Sequence, residues 1–146
     1  VSAQPKSAAA RARARRRLGR RGEAKAARYL ARRGLRVLER NWRCPSGELD
    51  IIARDGDVLV IVEVRSASGR FAGGPERTVG PDKQRRLARL AQRYRATLGA
   101  RGGGASRGPA GWRPASVRFD VVGVVRRTWW RWEVRWVRNA FDVPSG

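Results

Sequence analysis

The chain has 146 residues, room for one domain with one modest core, and its 34 Lys+Arg against 12 Asp+Glu give a net charge of +22, so a polyanion is the expected partner. One cysteine, Cys44, and no histidine exclude an internal disulfide, the His and Cys ligand sets of zinc sites, and Ser-His-Asp or Cys-His catalysis. Any metal site must therefore use carboxylates, which favours Mg²⁺ or Mn²⁺.

Residues 1–21 hold eight positive charges, no acid and no apolar stripe, which predicts a disordered basic arm. Without it the remainder still carries +14, so the basic character belongs to the domain as well. Over 22–33 the spacing turns helical, with Ala24, Ala27, Leu30 and Ala31 on one stripe, Glu23 on that same stripe, and Gly34 as the stop. Strands are predicted over 35–43, 48–54 and 57–66, the last two joined through an Asp55-Gly56 hairpin turn. Gly69, Gly73, Gly74, Pro75 and Gly80 make 67–80 an expected long, mobile loop. Pro81 opens a second helix, with Asp82 in its first turn and Leu87, Leu90, Ala91, Tyr94 and Leu98 at core spacing; Lys83 and Gln84 extend that stripe backward. A disordered linker over 99–114, strands over 117–125 and 129–137, and a short tail at 142–146 complete the chain.

The order α-β-β-β-α-β-β predicts an α/β domain over 22–141, in three layers: a mixed central sheet of about five strands flanked by two helices. No segment approaches the roughly 18 apolar residues of a membrane span, and the first residues lack a signal-like apolar stretch. A cytoplasmic protein with no membrane partner is the expectation.

A two-residue turn at Asp55-Gly56 sets Asp50 against Ile61 and Glu48 against Glu63. One hairpin face is then wholly apolar (Leu49, Ile51, Ala53, Val58, Val60, Val62, Val64). The other carries Ile52, Leu59 and Ile61 near the turn and Glu48, Asp50, Glu63 and Arg65 away from it. Like charges so placed destabilise a sheet, and a hard divalent cation would bridge them. A four-residue loop preserves this sharing of a face, whereas a three-residue loop would separate Asp50 from Glu63. Glu23, Lys83 and Gln84 occupy the first turns of their helix stripes where apolar residues belong, so both helix starts are expected near the carboxylates. A helix start with free N–H groups also suits a phosphate.

Gly22-Glu23, Gly47-Glu48-Leu49-Asp50-Ile51-Ile52-Ala53, Val62-Glu63-Val64-Arg65, Lys83-Gln84-Arg85-Arg86-Leu87, Arg118-Phe119-Asp120-Val121-Val122 and Arg138-Asn139-Ala140-Phe141 resemble the signature blocks of the YraN-like family. The resemblance spans about residues 20 to 141. It implies a restriction-endonuclease-like core of the PD-(D/E)XK superfamily, similar to archaeal Holliday-junction resolvases. It further implies that Glu23 is the helix acid, Asp50 the principal metal ligand and Glu63 the second, with Arg65 at the position of the motif lysine. An arginine does not give up its proton in a protein, so Arg65 serves only to stabilise charge, and water activation falls to the metal or to a remote group such as Lys83.

The leading functional expectation is a Mg²⁺- or Mn²⁺-dependent endonuclease on structured DNA, DNA ahead of RNA, with Asp50, Glu63 and Glu48 holding the ion and Glu23, Arg65, Lys83 and Gln84 assisting. The alternative, motivated by Arg65, is a nucleic-acid-binding module that has lost hydrolysis. A third reading docks the basic arm on RNA or the ribosome, and a homodimer stays open.

Plainer roles exist for each residue. Asp50 and Glu63 also read as strand acids paired with arginines, Glu48 as a surface acid, Glu23 as a helix-dipole partner, and Lys83 and Gln84 as first-turn surface residues. Asp120 is expected to pair with a nearby arginine and hold the sheet. Trp130, Trp132, Val134 and Trp136 suit core packing, with a base-stacking platform as the second reading.

Overall fold

The computed structural model describes residues 7–69, 74, 79–98, 109 and 111–143. Helix α1 (Ala8–Arg32) is followed by strands β1 (Arg36–Cys44), β2 (Gly47–Asp55) and β3 (Val58–Ser68), helix α2 (Pro81–Thr97), and strands β4 (Ser116–Arg126) and β5 (Trp132–Phe141). The strands form one sheet in the order β1-β2-β3-β4-β5. All neighbours run antiparallel except β3 and β4, whose parallel pairing is made by the crossover that carries α2. The predicted three-layer α/β architecture is the one found.

Each helix covers one face. On the α2 side Leu87, Leu90, Ala91 and Tyr94 pack against Ile52, Leu59, Ile61, Phe119 and Val121; on the α1 side Ala26, Ala27 and Leu30 pack against Ile51, Ala53, Val60, Val62, Val122 and Val124. The continuous apolar run of β3 follows from burial on both faces. At the helix crossing, a Cβ on the buried Gly22 would collide with Ser66 Oγ and stand 3.2 Å from Ser66 Cβ, so only glycine lets α1 lie this close to β3. No helix among the described residues is long and apolar enough to cross a membrane.

Four expectations change. The basic arm is helical from Ala8, fourteen residues before the predicted start, with the Ser7 side chain accepting from Ala10 N–H at 3.2 Å. Alanine and arginine are strong helix formers, and extending an existing helix needs no new nucleus, so the missing apolar stripe does not stop it. Residues 1–6, the 99–108 part of the linker and the 144–146 tail lie outside the described residues, as does most of the predicted loop over 70–78.

The hairpin turn moves by one residue. Asp55 pairs with Val58, which puts Gly56 and Asp57 at the two central positions, with Gly56 at φ +61°. A positive φ at the first central position costs glycine nothing. The last strand begins at Trp132 and not at Trp129, because residues 127–131 close a turn: Arg127 N–H donates to Arg131 O at 2.9 Å and Arg131 N–H to Thr128 Oγ1 at 3.0 Å. Finally, Leu49 packs on the α2 side while Ile51, two residues on, packs on the α1 side. The predicted all-apolar face therefore breaks at Asp50.

Candidate active site

The break at Asp50 builds the site. The β2–β3 ladder runs from the turn to Ile51 opposite Val62 and stops there. The shifted register makes Asp50 and Glu63 the next opposed positions, where the Asp55-Gly56 turn would have set Asp50 against Ile61 and Glu48 against Glu63. In place of a ladder carbonyl, the Asp50 carboxylate accepts the Val64 N–H, at 2.9 Å through Oδ2. The two strands thus fork around an aspartate that faces a glutamate. Both acids lie on the α2 side, in a cleft shared with Lys83, Arg86 and Leu87 of that helix.

Glu63 is 8% exposed and forms an ion pair with the Lys83 ammonium, which α2 presents from its first turn. An open cleft of about 250 Å³ is lined by Gly47, Glu48, Asp50, Glu63, Lys83, Arg86 and Leu87. Burial, followed by the neighbouring Glu63 carboxylate, pushes the Asp50 carboxyl up to about 7, against the lowering pull of the Val64 N–H. Glu23 feels the same neighbourhood: its carboxyl is raised by burial, a side-chain hydrogen bond from Asn41 and the Arg40 charge oppose this, and Glu48 and Glu63 add to it. Two carboxylates withdrawn from water beside each other keep a strong affinity for a cation.

A profile of the Uncharacterised protein family UPF0102 matches residues 22–124, which include Glu23, Asp50, Glu63, Arg65 and Lys83. The chain belongs to this family. Similar UPF0102 proteins occur in Streptomyces coelicolor (49% identical over 109 residues, 74% of this chain and 75% of the relative) and in Symbiobacterium thermophilum (45% over 128 residues, 88% and 98%). Another, from Moorella thermoacetica, is 50% identical over 110 residues, 75% of this chain and 82% of its own. The YraN-like resemblance drawn from the motif blocks names this same family.

Within this UPF0102 chain the expected site residues divide. Asp50, Glu63 and Lys83 converge, with Glu23 in electrostatic reach. Glu48 lines the cleft yet is exposed and turned to Arg43, 3.2 Å from its Nε. Among the described residues no three acidic or cysteine side chains gather as a metal cluster. Two carboxylates still suit Mg²⁺, which keeps several of its waters and is often bound through one or two carboxylates.

Gln84 is committed elsewhere, its Nε2 donating to Val79 O at 2.7 Å, so it fastens the start of α2. Arg65, half-buried and paired in register with Gly123, lies two residues beyond Glu63 on β3 and has no side-chain ion pair among the described residues. Arg86 is a cleft residue that the stripe argument passed over; its spacing of three from Lys83 places it on the same helix face.

Asp120 takes the role expected of it. It is 1% exposed and accepts from Arg118 Nε and Nη2 (2.9 and 3.0 Å), from Trp136 Nε1 (2.9 Å) and from Asn139 N–H (2.9 Å). Arg118 reaches on to Asp55 at 2.9 Å, tying β4 to the end of β2. Trp132, Val134 and Trp136 pack against the α1-side core, as the packing reading of that strand expects, whereas Trp129 and Trp130 are exposed.

Proposed function

We propose that this UPF0102 protein is a divalent-metal-dependent endonuclease that hydrolyses phosphodiester bonds in structured DNA. The observation that carries the reading is the fork at Asp50, where two opposed carboxylates short of hydrogen-bond donors share a cleft with Lys83 and Arg86. The donor set fits Mg²⁺ or Mn²⁺, with Asp50 and Glu63 as its protein ligands. Bound there, such an ion supplies Lewis-acid activation of water and neutralises charge on a phosphoryl oxygen.

The remaining work falls to the chain itself. Asp50 is fixed by the Val64 N–H, so its free oxygen points to one place. Lys83 holds Glu63 and offers a compact charge to a phosphate oxygen, while Arg86 adds a second cation on the same wall. Arg65 supplies a permanent positive charge further along β3 and no proton acceptor. Glu23, its carboxyl raised by burial and in electrostatic reach of Glu63, is the group we assign to holding a proton beside the cleft.

The test is cleavage of branched and linear DNA with Mn²⁺ by the wild type, Asp50→Asn and Glu63→Gln, each checked for folding. Loss of cutting in both variants with DNA binding retained supports the reading, and equal cutting by all three overturns it. Arg65 favours a second reading, a nucleic-acid-binding module without hydrolysis, which predicts no Asp50-dependent cutting in any divalent metal.

A further inference from the structure

A strongly basic surface lies apart from the acid cleft. The first half of α1 overhangs the C-terminal ends of the parallel strands β3 and β4, and two adjoining hollows of about 580 and 280 Å³ open between them. Both hollows share Ala14, Leu18 and Arg126; Arg17, Arg20 and Arg21 line one, Arg11 and Arg15 the other. Among the described residues that line it, the groove therefore has six arginines on an apolar floor and no carboxylate. The side chains of Arg15, Arg17, Arg20, Arg21 and Arg126 have no ion pair among the described residues. Guanidinium groups so crowded repel one another and attract a polyanion.

Immediately beyond Arg126 comes the β4–β5 turn, which carries Trp129 at 83% and Trp130 at 66% exposure. This turn is fixed by its own hydrogen bonds, Arg127 N–H to Arg131 O and Arg131 N–H to Thr128 Oγ1. Two adjacent indoles are thus held in solvent on a firm support, three and four residues beyond the Arg126 that both hollows share. A partner that joins phosphates to exposed aromatic faces satisfies both halves. Single-stranded nucleic acid does so, whereas a duplex keeps its bases stacked on each other.

Resting on the nucleic-acid reading above, we propose that the arginine groove and the Trp129-Trp130 turn form one site for a single-stranded segment of the substrate. The arginines follow its phosphates and the tryptophans stack on its unpaired bases. Ser68, on the wall of the groove, is five residues beyond Glu63 along β3. The substrate class is then a branched or flapped nucleic acid, its unpaired arm gripped beside α1 while the acid cleft lies on the α2 side of the sheet. The six arginines and the two tryptophans of this site lie outside the 22–124 segment matched by the family profile, whereas Ser68 lies within it.

The experiment is fluorescence anisotropy of a labelled 20-nucleotide oligothymidylate and of a blunt duplex of equal length, with the full chain in EDTA over a range of salt. Trp129→Ala/Trp130→Ala is expected to bind the single strand tenfold or more weakly, with its salt dependence unchanged and duplex binding little altered. Arg17→Ala/Arg20→Ala/Arg21→Ala is expected to flatten the fall of affinity with salt for both nucleic acids. Both variants alter exposed residues, and an unchanged thermal midpoint verifies their folding. Unchanged single-strand affinity in the tryptophan variant overturns the proposal, as does tryptophan-dependent binding to phosphatidylglycerol vesicles without binding to oligothymidylate. Because no metal is present, the outcome is separate from hydrolysis. Asp50-dependent cutting with tryptophan-independent binding sinks this site and leaves the nuclease, and the converse leaves this site alone.

Discussion

Asp50 and Asp120 are both strand aspartates drawn away from water, and the chain treats them in opposite ways. Asp120 receives four hydrogen bonds, two from one guanidinium and one each from an indole and a backbone N–H. The pairing holds the Arg118 guanidinium more firmly in its charged form, through its hydrogen bonds to Asp120 first and Asp55 after. Asp50 receives one backbone N–H and looks onto a second carboxylate. A buried carboxylate with every lone pair engaged is a fastener, whereas one left short of donors beside its own kind is a place kept for a cation.

The sharpest way to break the contrast is Asp120→Ala. It leaves the Trp136 indole and the Asn139 N–H without an acceptor and strips Arg118 of its two-point partner, so a loss of about 3–5 kcal/mol is expected in urea unfolding. A loss below about 1 kcal/mol would reduce the network to a surface-like ion pair.

Asp50→Asn should act in the opposite direction. The folded carboxyl sits near pH 7 against an ordinary 3.8, so between about pH 4 and pH 7 the folded state binds more protons than the unfolded one, and stability falls as pH rises through that window. An amide carries no such cost. In EDTA at pH 8 the variant should be more stable than the wild type by on the order of 2–4 kcal/mol, and near pH 4 the two should coincide. A variant less stable at pH 8 would place Asp50 among the fasteners.

A smaller effect sharpens the position of the helix acid. Gly22→Ala forces a Cβ onto Ser66, so α1 must lift from β3 just where Glu23 begins; a loss of about 1–2 kcal/mol is expected, most of it restored by Ser66→Gly in the same background. A neutral Gly22→Ala would mean that the close crossing does not fix Glu23.

The satisfied half of this comparison was the more legible in the sequence. Alternation in 117–125 and the wealth of arginine were enough to expect Asp120 to pair, and the α2 stripe announced its core residues by spacing alone. The acids of the hairpin were legible as a shared face because parity survives a shift of register by two. The Asp-Gly signal could not say which residue takes the positive φ, and so it misplaced the partner of Asp50. The roll of β2 between Leu49 and Ile51 left no trace in a pattern of period two, since it arises where the ladder to β3 ends. The first half of α1 was missed for a different reason: an apolar stripe reports packing, and an exposed Ala/Arg helix has nothing to pack. Trp129 and Trp130 were assigned to a strand because β-propensity does not separate a strand end from the turn that follows it.

The most direct test of the account is calorimetric titration of Mn²⁺ into the wild type, Asp50→Asn, Glu63→Gln and Glu48→Gln at pH 8. The account predicts a single saturable event that is lost in Asp50→Asn and Glu63→Gln and kept in Glu48→Gln, whose side chain is turned to Arg43. Binding that survives Asp50→Asn, or a wild type that takes up no metal, would contradict it.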